Sequence, residues 1–536
     1  MEKRLIIAIA LSLLVIISFQ SYSSKHQPVK PLIPANEMSR AKFPTENVSP
    51  EKTPAQTIEP ARASNVTEQE YVVETDHATI TFSDLGGAIK DIRLKKYSSH
   101  GTGAPYELAR ISNPSEYILS IEDPSQTIPG LNLSLYSLEI GKGIVVYTLN
   151  NGKVEVRKSY ILDKNQYCID YRITFKNLTD TPLETNYRVI AGAGVSEPSQ
   201  QDKRFIEAVS SINGTYTPFK RPNNSRIINK GIVSWAALKN RYFSIILKPF
   251  ANSQMYYCEQ SPENGIVCGI EVENFTLLPN SSVEHRYLLY AGPSDVERLK
   301  ALNIGLEETV NFGFFSWISK ALLWVMKMMN ALFRNWGFSI IGLAIFLNII
   351  LYPLTAKSFQ SIQRMQKLQP EFAKLKEQNK DNPQKLNKEM IELYKKHKVN
   401  PFGGCLPLIL QMPIFIALYN GLIRSISLKN APFLWIKDLS QPDALRIPAT
   451  LPVIGNTVNV LPILMAVAMF AQQKISGQAM MSAQTDEQVQ QQKMMMIIMP
   501  ILFGFIFYSL PSGLVLYWFI NTLLTTLEQS VLFKNR

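Results

Sequence analysis

The sequence of 536 residues is poor in charge, because only 18% of its residues are Asp, Glu, Lys or Arg. Soluble globular proteins carry roughly 25%. The shortage is local, and five stretches contain none of these four residues: 5–24, 335–356, 399–423, 447–473 and 494–527. Each is long enough for the ~20 residues that cross a bilayer, and the last is long enough for two short crossings. This composition excludes a soluble cytosolic enzyme and predicts a membrane protein.

Cysteine and histidine are also scarce, which restricts metal and disulfide chemistry. The four cysteines form no CxxC motif and no Cys/His cluster, so a structural zinc site is not expected. None of the five histidines lies in an uncharged stretch, which excludes an imidazole site at membrane depth. Cys258 and Cys268 flank a turn signal and could form a disulfide across a hairpin in an oxidising compartment; the alternative is two small strand residues.

Three further absences count against particular classes of function. The predicted crossings hold no ionisable group of the kind that coupled transporters use, and no GxxxxGK[ST] phosphate loop occurs. No paired-carboxylate site of a carbohydrate enzyme is recognisable, and His77, His100 and His285 are predicted to be solvated. The positive charges of 357–398 lack interleaved aromatic residues, so sequence-specific nucleic-acid binding is not predicted. Neither a cofactor nor a metal is expected.

The first half of the chain divides into four segments. Residues 1–24 consist of a short charged segment followed by an apolar segment, and they are predicted to form an uncleaved signal-anchor transmembrane helix. Residues 25–69, rich in Pro, Ser, Lys, Glu and Thr, are predicted to be a flexible tether. Period-two alternation across 70–300 predicts the strands of a large exported β-sandwich. Residues 301–334 are predicted to contain an amphipathic helix in the membrane surface.

The second half is predicted to add five crossings, giving a polytopic α-helical membrane protein with six. The crossings are placed at 335–356, 399–423, 458–473, 494–510 and the start of 511–536, whose end forms a short cytoplasmic tail. A cytoplasmic helical hairpin at 357–398, a periplasmic loop at 424–457 and a cytoplasmic loop at 474–493 connect them. Because 357–398 holds eleven Lys and Arg against five Asp and Glu, it is assigned to the cytoplasm, together with both termini.

Neutral polar side chains remain at membrane depth in these crossings, among them Asn348, Gln411, Tyr517 and Asn521. Tyr517 and Asn521 share one face of a predicted helix. Such groups indicate either interhelical hydrogen bonds or a hydrated cavity between helices, since lipid would leave them unsatisfied. On this pattern a membrane chaperone, a transporter or channel, and an anchored carbohydrate-binding sandwich are three open functions.

Five motifs of the second half resemble those of the YidC branch of the Oxa-type insertase family: NWGFSI at 335–340, YPLT at 352–355, VNPFGGCLP at 399–407, QMPIF at 411–415 and PSGLVLY at 511–517. They occur in the order that the family shows. The resemblance implies a non-enzymatic insertase and chaperone of the bacterial inner membrane. It also implies a five-helix core with a hydrophilic groove open to cytoplasm and lipid. Nascent membrane proteins, the Sec translocon, the ribosome and membrane lipids are the implied partners.

The resemblance also implies which residues form the substrate groove: Asn348, Gln411, Met412, Phe415, Tyr517, Trp518 and Asn521. Ordinary helix packing is the alternative role for each. Family members commonly carry an arginine four residues before the YPLT motif, where this chain has Asn348. An amide keeps a groove hydrated but cannot attract an acidic tail by charge. The nearest cations by sequence are Lys357 and Arg364, both predicted to lie on the cytoplasmic hairpin.

Overall fold

The structure is a computed structural model, and it describes residues 68–98, 103–164, 166–196, 202–219, 226–251, 253–261, 263, 265–379, 382–397, 399, 406–451, 455–478 and 486–534. The predicted signal anchor, residues 25–67 of the predicted tether and His100 lie outside the described residues.

Antiparallel strands fill the first half of the described chain. They run as follows: β1 Glu70–Glu74, β2 Ala78–Ser83, β3 Ala88–Ser98, β4 Pro105–Arg110, β5 Ile121–Glu122, β6 Ser137–Gly141, β7 Ile144–Asn150, β8 Val154–Leu162, β9 Cys168–Asn177, β10 Leu183–Gly192, β11 Glu207–Ile212, β12 Thr215–Phe219, β13 Ile227–Lys239, β14 Phe243–Pro249, β15 Ser253–Ser261, β16 Gly265–Leu277 and β17 Ser282–Pro293. A separate small hairpin, β18 Leu445–Leu451 and β19 Gly455–Val458, lies much later in the chain.

Two sheets share one apolar core. Strands β1 to β4 pair in chain order, and the larger sheet has the order β5-β10-β16-β15-β13-β14-β17-β9-β8-β7-β6, with β11 between β12 and β13. Ile80 and Phe82 of the small sheet and Tyr171, Ile173 and Phe175 of the large sheet are all buried in this core. The alternation that predicted half-buried strands is therefore confirmed as a β-rich domain, because every second side chain of a strand points to the same face.

Two histidines that were expected to be solvated are covered instead. His77 is only 8% exposed, and its ring stacks on Tyr167 with the centroids 4.7 Å apart. His285 is partly buried in β17, where its Nδ1 lies 2.8 Å from the hydroxyl of Tyr187. The prediction was wrong for both, because sequence alternation does not show which distant residues cover a side chain.

The cysteine pair lies where the turn signal indicated. Cys258 of β15 and Cys268 of β16 are direct cross-strand partners. Both thiols are free and buried, so the structure brings them opposite each other without a bond between them. Burial raises the pKa of the Cys258 thiol to about 11, and it raises the pKa of Cys268 as well. A disulfide would therefore need an oxidant that reaches thiols with little thiolate character.

Helices make up most of the second half. They are α1 Val296–Ala301, α2 Ser316–Phe333, α3 Trp336–Lys367, α4 Gln369–Gln378, α5 Pro383–Lys396, α6 Leu406–Ile423, α7 Val460–Gln478, α8 Asp486–Phe507 and α9 Ser512–Lys534. Within the described ranges, one helical stretch, Trp336–Met365, is long and apolar enough to cross a membrane. Three shorter apolar helices are Leu410–Ile423, Val460–Ile475 and Met496–Phe507.

Helix α3 differs from the prediction at its end. It continues past Pro353 to Lys367, so Lys357 and Arg364 lie on the same helix as Asn348. The two hairpin helices, α4 and α5, begin only after it. The placement of these two cations on the hairpin is therefore corrected, because the predicted boundary followed the end of the uncharged stretch and the helix continues beyond it.

Helix α2 packs one face on the helical core and leaves apolar side chains on the other. Ser319 is fully buried, and its hydroxyl donates to the carbonyl of Ala417 in α6 at 2.7 Å. Trp317 and Leu332 are 72% and 74% exposed. A small residue at the contact allows the two helices to approach closely.

The β-rich domain is fixed to the helical core by buried cations. Arg241, in the turn between β13 and β14, donates to the carbonyl of Ile423 at 2.6 Å and to that of Ser440 at 2.9 Å, and it pairs with Asp202 at 3.1 Å. Ile423 ends α6, so the guanidinium lies at the negative end of the helix dipole. Lys429 adds a cation–π contact, with its Nζ 4.9 Å from the ring centre of Tyr106.

Candidate substrate groove

Three helices bring the predicted groove residues together. Helix α3 carries Asn348, α6 carries Gln411, Met412 and Phe415, and α9 carries Tyr517, Trp518 and Asn521. Helix α9 begins directly after Pro511, which cannot continue a preceding helix. Tyr517 and Asn521 are four residues apart and therefore occupy one face of α9.

The polar members form two interhelical hydrogen bonds. Asn348 Nδ2 donates to Asn521 Oδ1 at 2.8 Å, which joins α3 to α9. Gln411 Nε2 donates to the Tyr517 hydroxyl at 3.0 Å, which joins α6 to α9. Tyr517 is fully buried, whereas the three amide side chains are only partly buried. The prediction placed these residues in one region, and the structure shows the partners that the sequence could not identify.

An aromatic cluster lies beside these bonds and includes two residues that sequence reasoning missed. Phe415 meets Trp518 edge to face with the ring centres 4.8 Å apart. Phe503 and Phe507 of α8 also contact Trp518, at 6.2 and 5.5 Å. The spacing of four between the two phenylalanines could have indicated that they share a helix face. Met412, by contrast, is 45% exposed on α6.

The two predicted compensating cations do not lie at the level of Asn348. With a rise of 1.5 Å per residue, Lys357 and Arg364 stand roughly 14 and 24 Å further along α3. Both side chains are exposed. They cannot replace the charge of an arginine at position 348 by direct contact.

The arrangement suits reversible hydrogen bonding rather than covalent chemistry. The groove residues are amides, a phenol, a thioether and aromatic rings, which offer donors and acceptors without a nucleophile activated by a base. Among the described residues, no group of three or more His, Cys, Asp or Glu could hold a metal ion. Such a surface can exchange hydrogen bonds with a peptide and present it with an apolar wall.

Comparison with known proteins identifies the family of this chain. Residues 328–536 match the family described as "60Kd inner membrane protein", and residues 70–325 match the family described as "YidC periplasmic domain". The membrane protein insertase YidC of Geobacter metallireducens is 33% identical over 564 residues, covering 100% of this chain and 99% of that protein. The insertase of Cellvibrio japonicus is 31% identical, covering 96% of this chain and 94% of that protein.

A solved structure of an active YidC insertase, with its first transmembrane domain resolved, covers 86% of this chain and 92% of that chain, at 19% identity and a TM-score of 0.36. The relatives and the two matching families together span the chain from its β-rich domain to its C-terminal helices. The chain therefore belongs to the YidC family of membrane protein insertases.

Proposed function

We propose that this protein inserts nascent membrane proteins through a groove formed by α3, α6 and α9, and that it assists their folding. Moving an unpaired peptide group from water into hydrocarbon costs several kcal/mol, on the order of 4–8 for an apolar solvent. Half-buried amides lower this cost by offering replacement hydrogen bonds to a polar tail or loop. The apolar helix of the same substrate can then move sideways into lipid.

The observation that carries this proposal is the pair of bonds Asn348–Asn521 and Gln411–Tyr517. Each is a neutral pair whose net stability is only about 1 kcal/mol, so an incoming peptide can exchange with it at little cost. A groove of fixed charges would instead bind one class of tail tightly. The bonds also join helices, so the packing role and the groove role use the same residues.

The apolar wall in this proposal consists of Phe415, Phe503 and Trp518, which are partly buried, and the fully buried Phe507 packs against them. Aromatic faces contact side chains of many shapes without requiring a fixed polar partner. Met412, exposed on α6, extends this wall with a flexible thioether that adapts to different substrates. A transmembrane helix leaving the groove would slide along these residues.

The proposed topology has six crossings, with both termini in the cytoplasm and the β-rich domain in the periplasm. The apolar helices α3, α6, α7, α8 and α9 supply five crossings, and residues 1–24 supply the first. The positive charge density of 357–398 supports a cytoplasmic position for α4 and α5. The hairpin would then stand at the cytoplasmic mouth of the groove, where the ribosome or a nascent chain arrives. The Sec translocon is proposed as a further partner.

Depletion of the protein followed by quantitation of small inner-membrane proteins tests the function. We expect these proteins to fall in the membrane fraction and to recover when the full chain is supplied again. A chain with Gln411→Leu and Asn521→Leu together should restore them poorly, whereas Lys300→Ala, at an exposed position outside the groove, should restore them fully. Full recovery with the double variant would place the insertion path elsewhere.

A further inference from the structure

A second cavity lies away from the groove, between α1, α2, the start of α3 and the residues after α6. Its walls include Glu297 of α1, Lys320 and Trp324 of α2, Trp336 of α3 and Arg424. These residues come from the junction of the β-rich domain and the helical core. Because this junction is separate from the polar pairs of α3, α6 and α9, its charges need an explanation of their own.

The charges of the cavity are incompletely paired. Lys327, which also lines it, lies 3.4 Å from Asp295 and 2.9 Å from Glu297, so one ammonium faces two carboxylates. Lys320 is exposed, and the described part of the chain holds no acidic partner for it. Arg424 donates to the carbonyl of Asn311 at 2.8 Å and forms an ion pair with Glu207 at 3.7 Å, but its Nε is buried without a hydrogen-bond partner among the described residues.

The cavity has incompletely paired groups of both signs, positive and negative, and this combination indicates the ligand. Lys320 and the Nε of Arg424 can take up an anionic phosphate, because both are donors with unused capacity. The excess carboxylate of Glu297 can take up a primary ammonium. One molecule with both groups a few ångströms apart satisfies all three, whereas a purely anionic ligand leaves the extra carboxylate facing a like charge.

The surroundings connect this cavity to a membrane surface. Lys320, Trp324 and Lys327 follow one another at spacings of four and three, so they form one side of α2. Trp324 is 59% exposed, and Trp317 and Leu332 of the same helix are more exposed still. Tryptophan is enriched where apolar chains meet headgroups, and lysine there extends its ammonium toward phosphates.

We propose that this cavity binds the headgroup of phosphatidylethanolamine, with its phosphate at Lys320 and Arg424 and its ammonium at Glu297. The acyl chains run along the exposed apolar side of α2. The proposal rests on the proposed function and on the sequence prediction that the amphipathic helix of 301–334, which is α2, lies in the membrane surface. It adds a specific lipid site that holds the junction of the two domains at the level of the headgroups.

Native mass spectrometry of the full chain, released from nanodiscs of equal phosphatidylethanolamine and phosphatidylglycerol, tests the site. We expect the wild type to retain phosphatidylethanolamine several-fold above phosphatidylglycerol. Lys320→Glu should abolish that excess, and Lys300→Glu, a matched reversal on α1 outside the cavity lining, should preserve it. Glu297→Gln should shift retention toward phosphatidylglycerol, because it removes the partner of the ammonium but keeps the phosphate donors.

Two outcomes would overturn the lipid site: equal retention of both lipids by the wild type, or an unchanged excess in Lys320→Glu. Displacement of the lipid by inorganic phosphate alone would also overturn it, since the site would then recognise a phosphate and no headgroup. Thermal unfolding of each variant checks its fold. Insertion assays on the same samples separate the two proposals, because a failed lipid site with normal insertion leaves the groove intact.

Discussion

At position 348, an amide stands where the family resemblance leads one to expect an arginine. Its hydrogen bond to Asn521 shows how the chain accommodates this residue, because a neutral donor there has a neutral acceptor on α9. An arginine at this position would carry a positive charge and could only donate hydrogen bonds, whereas the amide is neutral and can both donate and accept.

Asn348→Leu should impair insertion of substrates with charged or polar translocated tails more than substrates with short apolar tails. Leucine cannot bond to Asn521, and leaving a partly buried amide unpaired costs about 1–3 kcal/mol. Crosslinking from position 348 to a stalled nascent chain, together with insertion assays on both classes of tail, provides the measurement. Equal activity on every substrate without a crosslink would mean that Asn348 only joins helices.

Asn348→Arg should be tolerated and should favour acidic tails over basic ones through Coulomb attraction in a partly desolvated space. The same insertion assay measures this preference as the ratio of acidic-tail to basic-tail product. Lys357→Ala is the matched control on α3, because that exposed cation lies too far along the helix to act at position 348. An unchanged ratio in Asn348→Arg would show that tails do not pass this position.

His285 predicts a pH dependence of the β-rich domain. Burial lowers the pKa of its imidazole, which bonds to the Tyr187 hydroxyl. As the pH falls, His285 of the unfolded chain is protonated before His285 of the folded chain. The contribution of the neutral imidazole to the free energy of unfolding is therefore complete above the unfolded pKa of about 6.5 and is lost as the pH falls below it. His285→Gln keeps an acceptor for the Tyr187 hydroxyl but cannot be protonated. The thermal stability of this variant should therefore fall less between pH 7.5 and pH 5 than that of the wild type, a range that spans the unfolded pKa of about 6.5. Parallel curves for the two proteins would contradict this role.

Among the elements, α3 is positioned by its first turn as well as by its long apolar face. Gly337 lies against Phe433, a residue that is 6% exposed in the loop after α6. A Cβ on Gly337 would come within 2.7 Å of the Phe433 Cβ and closer still to its ring. The glycine in the NWGFSI motif thus allows the close approach of a helix start and a loop.

Gly337→Ala should lower the thermal stability of the helical core by about 1–3 kcal/mol, because the buried ring must move to make room. Gly421→Ala is the matched control, since its Cβ would meet the Leu323 Cγ at an ordinary 3.4 Å. Thermal unfolding of both variants in detergent gives the comparison. Equal losses in the two variants would show that α3 does not depend on this contact.

For the whole molecule, Arg241 contributes buried hydrogen bonds between the β-rich domain and the helical core. Arg241→Ala breaks the ion pair with Asp202, which is only 1% exposed, and removes the donor to two backbone carbonyls. Breaking a buried ion pair costs about 3–5 kcal/mol. Arg286→Ala breaks an exposed pair with Asp170 and should cost about 1 kcal/mol or less. We expect limited proteolysis to cleave between the domains faster in Arg241→Ala than in Arg286→Ala. Equal cleavage rates in the two variants would contradict this role of Arg241.

Deletion of most of residues 71–290, with 300–334 retained, should leave insertion largely working. The groove residues all lie on α3, α6 and α9, outside the deleted segment. The shortened protein should be less thermostable, because the contacts of Arg241 with Ile423 and Ser440 are lost. Insertion assays with a correctly oriented deletion give the measurement. Loss of insertion in a well-folded deletion would show that the β-rich domain takes part in the essential step.

The sequence by itself determined the class of this protein and the region of its candidate site. Long uncharged stretches allow few structures other than membrane helices, because unpaired charges are costly in hydrocarbon. Period-two alternation is equally restrictive for strands, and it predicted the β-rich domain in which Tyr171, Ile173 and Phe175 are buried. The motif residues of α3, α6 and α9 were likewise named from the sequence.

Only the tertiary structure decided which of these residues contact one another. Asn348 and Asn521 are 173 positions apart, and Arg241 and Ile423 are 182 apart, so no local pattern connects them. The same limit explains the errors over His77 and His285, because the rings of Tyr167 and Tyr187 that cover them are distant in the sequence. Periodicity shows which face of a segment meets apolar surroundings and which meets polar ones. The residues that contact a given side chain depend on how distant segments pack, and local periodicity does not encode that packing.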